Sequence, residues 1–297
     1  MGQNLKAVRE RITSVMSTQQ ITKAMKMVSA AKLRRAQQAI VQLRPYSERL
    51  NKILKNIISD LGNDASTPYG VEREVKNALL VVITSNRGLC GGFNANIIKA
   101  AIETIQTKYA ASRNAGKLTI LCIGKKGYDT FKKYKNCTVI NDHVDLFKDI
   151  TYENVVQIAD EAMNGFTSKQ YDHVTICYGR FKNAAMQFAE AEQFLPVAKL
   201  KEEMGKSRKK NADYIFEPDK DLLLEHLVPS ILHTQFYKCV LDTLASEHGA
   251  RMTAMDKATE NANELLKALR LSYNKARQEA ITNELSEIVG GAAALGG

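Results

Sequence analysis

The chain has no tryptophan and only five prolines in 297 residues, and its first 60 residues hold one proline, Pro45, and one glycine, Gly2. Helix breakers are so scarce there that a single long helix is the simplest reading. No stretch reaches the roughly 18 uncharged apolar residues that a membrane-spanning helix needs. The start, Met1-Gly2-Gln3-Asn4-Leu5-Lys6, enters an amphipathic pattern at once, without an apolar signal core or a Ser/Arg-rich presequence. The expectation is a mature chain beginning in a cytosol. Five cysteines, Cys90, Cys122, Cys137, Cys177 and Cys239, form no CxxC and no close pair. That excludes a disulfide framework and predicts small, buried, reduced side chains. The dinucleotide pattern GxGxxG and the Gly-Lys-Ser/Thr of a phosphate loop are both missing.

Positive charge is plentiful and unevenly placed. The formal net charge is +10, and residues 1–60 carry twelve lysines and arginines against Glu10, Glu48 and Asp60. A helix so basic calls for an acidic partner: phosphate, lipid head groups or carboxylates.

Steps of four and three run along the C-terminal stretch from Leu222 to Val289: Leu223, Leu227, Ser230, Thr234, Tyr237, Leu241, Leu244, His248, Arg251, Met255, Ala258, Ala262, Leu265, Leu269, Ser272 and Ala276. A seam of more than seven heptads predicts one very long helix with a coiled-coil face, about 100 Å at 1.5 Å per residue. Gly290-Gly291 is expected to stop it. The N-terminal helix shows two seams. Leu5, Val8, Ile12 and Val15 make the first; Ala36, Ile40, Leu43, Ser47, Leu50, Leu54, Ile57 and Leu61 make the second. Polar Ser17 to Gln20 separate them, with Ile21, Met25 and Val28 on a shifted face, which reads as a local phase change. Narrow apolar stripes on two long helices are best buried by antiparallel pairing, one helix running into the middle of the chain and the other running out.

The period changes between them. Asn77–Thr84 is a continuous β-branched run, as in a strand covered on both faces. Helix Asn94–Tyr109, strand Lys117–Ile123, helix Lys125–Tyr134, strand Cys137–Ile140, helix Tyr152–Phe166 and strand His173–Tyr178 follow, with Met186–Pro196 as an outer antiparallel strand. Such alternation implies a mostly parallel sheet with right-handed crossovers. The expected fold class is α/β: a long antiparallel coiled coil of the N- and C-terminal helices around a central Rossmann-like α/β domain. The expected division is 1–62 for the first helix, 75–198 for the α/β domain, 199–220 for a loop and 221–297 for the last helix. The charged, aperiodic stretch from Lys199 to Asp213 is expected to be mobile.

Chemistry is sparse. Ser85 to Asn94 follows a strand and opens a helix, where a phosphate loop would sit. Its glycine spacing is wrong for one, and a tight turn explains Gly88, Gly91 and Gly92 equally well. Arg87 could still meet an anion. His226, His233 and His248 are seven and fifteen residues apart, not the four of a helical metal site. No catalytic residues, cofactor or metal ligands are assigned. The tail from Ile288 to Gly297 has no charged side chain, unlike a frayed soluble end, which points to a sheath supplied by another protein.

Ile21 to Val28, Arg44-Pro45-Tyr46, the Ser85–Asn94 loop, Ser246-Glu247 with Ala250 to Met252 and Met255, Tyr273 to Gln278, and Ile281 to Glu284 with Glu287, Gly291 and Ala292 together resemble the gamma subunits of F-type ATP synthases. The likeness spans essentially the whole chain. It implies a non-catalytic central rotor shaft inside a ring of three alpha and three beta subunits, with an epsilon subunit and a membrane c-ring at its foot. Rotation driven by proton flow through the c-ring would be coupled to ATP synthesis or hydrolysis on the beta subunits. The resemblance places Arg277, Gln278 and Thr282 against a beta-subunit loop, Met25 and Lys26 near an acidic beta lever, and Tyr214 and Glu217 against the polar loop of the c-ring. It implies a bacterial protein bound peripherally at the cytoplasmic face of the inner membrane. Lacking two cysteines near in sequence, it should lack the dithiol switch of chloroplast members. A nucleotide-binding enzyme built on the α/β domain is the alternative, and a basic coiled coil that binds nucleic acid is a third reading.

Overall fold

A computed structural model of the chain describes residues 5–61, 67–197 and 220–295. Helix α1 (Leu5–Leu61) and helix α6 (Lys220–Leu295) flank β1 (Ala78–Ile83), α2 (Phe93–Thr107), α3 (Ala110–Asn114), β2 (Leu118–Ile123), α4 (Lys125–Phe131), β3 (Thr138–Ile140), α5 (Tyr152–Thr167), β4 (His173–Phe181) and β5 (Gln187–Leu195). Two compact units result, Ala30–Arg251 and the combined termini Met1–Ser29 with Met252–Gly297.

The larger unit contains a five-stranded sheet in the order β3-β2-β1-β4-β5. The first four strands pair in parallel and β5 runs antiparallel to β4. Every residue of β1 is buried, as its unbroken apolar run demands of a central strand. One face of the sheet meets α5 and α6 through Leu79, Val81 and Ile176 against Ile158, Phe166, Leu232 and Phe236. The other meets α2 and α4 through Leu80, Val82 and Ile120 against Ile97, Ile105 and Phe131. Helix α5 starts where Thr151 accepts a hydrogen bond from the Asn154 N–H at 3.2 Å, a side-chain cap. The five cysteines are free thiols, four of them buried and Cys137 partly so.

Within this unit α6 does more than present a seam. Between Val228 and Arg251 it packs on the sheet as well as beside α1, burying Leu232, Phe236, Cys239, Val240, Ala245 and Ser246 in addition to heptad positions such as Leu241. A narrow stripe, the expectation from periodicity, therefore gives way to burial around most of the helix. On α1, Ala36 and Leu50 are buried and Ile40, Leu43 and Ser47 are half-buried, following the second seam read from sequence, and Leu33, three residues before that seam begins, is buried as well. The side chains of Leu54, Ile57, Leu61 and Leu223 lie outside the described residues.

The terminal unit is an antiparallel helix pair. Arg9 meets Tyr273, Gln19 meets Asn263, Thr22 meets Thr259 and Lys26 meets Asp256. The expected phase shift is absent. The spacing of four and three continues from Leu5, Val8, Ile12 and Val15 through Gln19, Thr22 and Lys26 to Ser29, while Ile21 and Val28 are 59% and 57% exposed. Gln19, Thr22 and Lys26 occupy the seam because each finds a partner on the facing helix, which apolar periodicity cannot register, while Ser29 donates to the Met25 carbonyl of its own helix at 2.8 Å. On α6 the seam takes Leu266, 6% exposed, in place of Leu265, 40% exposed. Nor does Gly290-Gly291 end α6, which continues to Leu295. Each glycine costs a helix interior about 1 kcal/mol, but the Ala292–Leu295 stretch that follows resumes strong helix-forming residues. Pro45 and Pro229 likewise lie inside their helices.

Candidate functional site: surfaces of the terminal helix pair and a clamped loop

The residues singled out for contact fall into three groups. Lys26 is a seam position and Met25 adjoins it, both half-buried. Lys26 Nζ is 2.5 Å from Asp256 Oδ1, with 40% and 47% of the two side chains exposed. Its charge is thus partly used within the pair, and partly open to solvent. Arg277, Gln278 and Thr282 are exposed on α6, with the Thr282 hydroxyl donating to the Gln278 carbonyl at 2.9 Å. They follow Ala276, the last fully buried position of the seam. Arg277 is 21 residues past Asp256, about 30 Å along a helix, so these are two separate patches. Tyr214 and Glu217, with the whole Lys199–Asp213 stretch, lie outside the described residues.

Beyond the buried seam, residues 281–292 of α6 are all exposed. Ile281, Leu285, Ile288 and Val289 are 44%, 57%, 67% and 67% exposed, and their spacing puts them on one helical face. A bare apolar stripe of this sort is stable in water only at the cost of solvating it.

In the larger unit, the loop after β1 is tied down by α6. Arg251 donates from one guanidinium nitrogen to the carbonyls of Arg87 and Gly88, at 3.1 and 3.2 Å. The other nitrogen donates to Glu247 Oε1 at 2.6 Å, with both side chains 9% exposed. Burial raises the Glu247 carboxyl and Arg251 pulls it back. His248 lies 3.4 Å from the same guanidinium; burial first, then Arg251 and Lys32, push its imidazole down to about 4. Inside the loop, Ser85 donates to the Arg87 carbonyl at 2.7 Å and the Asn94 side chain accepts from the Ser85 N–H at 3.0 Å. Leu89 and Gly91 adopt positive φ. The turn thus satisfies its polar groups on itself and on Arg251.

Strand order reverses direction at β1, and the crevice at such a point is where open α/β sheets hold ligands. Here α6 fills it. Ser246 donates to the Gly179 carbonyl at 2.9 Å and Thr243 accepts from the Gly179 N–H at 3.3 Å. A Cβ on Gly179 would sit 2.7 Å from the Phe93 ring and 3.3 Å from Ser246, so glycine alone permits this approach. Arg87 itself is exposed. His233 faces Asp160 of α5 at 2.6 Å, His226 is exposed, and among the described residues no group of three or more His, Cys, Asp or Glu could hold a metal ion. Also among those residues, no helix is long and apolar enough to cross a membrane. The role of Arg251 was not derivable from spacing, because its carbonyl partners are more than 160 residues away in the chain.

Comparison with known proteins bears on what these surfaces belong to. A family model described as ATP synthase matches residues 4–295. The ATP synthase gamma chain of Cytophaga hutchinsonii is 51% identical over 292 residues, covering 98% of this chain and 99% of the relative. That of Flavobacterium johnsoniae is 52% identical over 295 residues, covering 99% of each. Among solved structures, a chain of the Euglena gracilis mitochondrial ATP synthase (OSCP/F1/c-ring, rotational state 3) superposes with a TM-score of 0.63 at 23% identity, covering 98% of this chain and 94% of that one. At that identity the likeness speaks for the fold. With a matched family model and close relatives over nearly its entire length, the chain belongs to the gamma chain family of ATP synthases.

Proposed function

We propose that the chain is the rotating central stalk that couples proton-driven turning of a membrane c-ring to ATP synthesis or hydrolysis on the beta subunits, and that it carries no catalytic site of its own. The observation that carries this reading is the end of α6. Its exposed face of Ile281, Leu285, Ile288 and Val289 needs a sleeve, and a ring of alpha and beta subunits would supply one. Close below it, Arg277, Gln278 and Thr282 would meet a beta-subunit loop. Met25 and Lys26 would face the acidic lever of beta, about 30 Å further along the pair. Contacts so exposed are screened by solvent and exchange readily, which suits a part that must turn past three similar partners without lodging at one. An extensive apolar contact along the whole pair would favour a single orientation.

In this proposal Tyr214 and Glu217 meet the polar loop of the c-ring, with an epsilon subunit beside the α/β portion. The complex lies peripherally at the cytoplasmic face of a bacterial inner membrane. The test is the double variant Arg277→Ala, Gln278→Ala. It should lower the ATPase of the assembled complex several-fold while the isolated chain keeps its helical circular dichroism and melting temperature. Unchanged turnover and unchanged coupling to proton pumping would defeat the reading.

A further inference from the structure

Positive charge is concentrated a second time, within the larger unit. Residues 108–140, covering α3, β2, α4 and β3, contain eight lysines and arginines and a single acidic residue, Asp129. The side chains of Lys125, Lys126, Lys132, Lys133 and Lys135 are all exposed on or just after α4. The pairs 125/132 and 126/133 are seven residues apart, so they recur on one side of the turn. Lys132 already holds Asp129 at 2.8 Å, and Lys125 and Lys126 also act on that carboxylate. Arg113 extends the surface by stacking over Tyr134 at 4.8 Å. Five ammonium groups with one carboxylate among them repel one another, and an unpartnered surface gains nothing from that arrangement.

We propose that this α4 surface is a docking site for a carboxylate-rich segment of a neighbouring protein subunit, separate from the contacts of the terminal helix pair. The chemistry of the surface selects this partner. Its charges are almost all lysine, hydrated point charges suited to loose pairing with carboxylates; bidentate phosphate recognition favours arginine. Tyr128 and Tyr134 pack against the buried cluster under α4, so they offer no free face on which a nucleic-acid base could stack. None of the large exposed apolar side chains falls within residues 108–140, and the adjoining loop after β1 adds one, Leu89, so the surface lacks the apolar helical face that would anchor it in a bilayer. Acidic protein side chains remain.

Zero-length carbodiimide coupling of the purified ATP synthase complex tests this, because it joins lysines only to carboxylates already in contact. Lys26 and Asp256 provide an internal positive control within the chain. The expected result is coupling of at least two of Lys125, Lys126, Lys132 and Lys133 to Asp or Glu of another subunit. The quadruple variant of these four lysines to Gln should lose it, and one bearing Lys76→Gln, Lys99→Gln, Lys148→Gln and Lys182→Gln should retain it. Formation of the Lys26–Asp256 link without any from the α4 lysines overturns the proposal. So does tight binding of the full chain to phosphatidylglycerol vesicles or duplex DNA that the α4 variant abolishes, if no cross-link to a carboxylate forms.

Discussion

Thr22 and Thr259 face each other across the terminal helix pair with their hydroxyl oxygens 2.8 Å apart. Each hydroxyl also reaches a carbonyl of its own helix, Thr22 that of Gln19 at 3.0 Å and Thr259 that of Met255 at 2.7 Å, so with one proton each, one hydroxyl donates across the seam while the other donates to its own helix. With Gln19–Asn263 on one side and Lys26–Asp256 on the other, it makes three successive polar layers in a coiled-coil seam. Polar seam layers fix register at some cost in stability.

A double-mutant cycle follows from that geometry. Thr22→Val and Thr259→Val should each destabilise the isolated chain by about 1 kcal/mol, with a coupling energy of roughly 0.5–1.5 kcal/mol between them. The double variant should then lie about 0.5–1.5 kcal/mol below the parent rather than the roughly 2 kcal/mol of strict additivity, since both partners become apolar together. Urea unfolding of the four proteins measures this. Strict additivity would show that the hydroxyls do not interact.

This seam is also where sequence reading and structure part. The strands were legible because buried β-branched runs have no other use. The α1 seam is legible wherever it is apolar, but Ser17 to Gln20 read as an interruption and Thr22 is passed over, since hydropathy cannot see the hydrogen bonds of Gln19 and Thr22 to residues some 240 positions away. Adjacent Leu265 and Leu266 offered two registers, and only the partner helix chooses between them. The same limit hid Arg251: its place in a motif was visible, but the loop carbonyls that it holds were not. Of the exposed apolar face at the end of α6, Ile288 and Val289 belong to the uncharged stretch that stands out in the sequence, whereas Ile281 and Leu285 lie before it, beside Glu284 and Glu287, and emerge only from their exposure in the structure.

Asp242 and His248 should oppose each other in acid. Burial pushes the Asp242 carboxyl up to about 6, with Lys238 pulling it down, Glu192 adding to the rise, and Arg180 and Arg44 opposing it. The folded chain therefore keeps a proton that the unfolded chain gives up near pH 4. That stabilises the fold at low pH and is lost as pH rises through 6. His248 has the reverse sign. Held neutral down to about 4 in the fold, it loses stability as pH falls from about 6.5 towards 4. The parent should thus show a shallow net slope from these two groups. Asp242→Asn should expose the His248 contribution, losing on the order of 3 kcal/mol between pH 6.5 and 4. His248→Gln should do the opposite and lose stability as pH rises over that range. Urea midpoints at pH 4.5, 5.5 and 7 distinguish these outcomes, and parallel profiles for all three proteins would contradict the assignment.

Gly179 offers a packing test. Gly179→Ala would place a methyl 2.7 Å from the Phe93 ring, between α2 and α6. Overpacking of that kind costs about 1–3 kcal/mol. Adding Phe93→Leu should recover part of the loss by making room for the methyl. A neutral Gly179→Ala would mean that the Phe93 ring stands further from the Gly179 backbone than the 2.7 Å contact implies.

Truncation separates the part of α6 that holds the chain together from the part offered to others. Removing residues 281–297 deletes side chains that are exposed from 281 to 292, so the isolated chain should keep its melting temperature within about 1–2 °C. Removing residues 271–297 also deletes Ala276, buried in the seam, and Tyr273, which receives a hydrogen bond from Arg9 at 3.1 Å. That longer deletion should cost about 2 kcal/mol and fray the first turns of α1, because Leu5 and Val8 lose the surface that covers them. Hydrogen exchange at Leu5 to Ile12 reads this directly: protection unchanged by the shorter deletion and lost with the longer. If the shorter deletion already strips that protection, the exposed end of α6 contributes to the fold of the isolated chain, and the apolar face of Ile281 to Val289 is not held free for a sleeve.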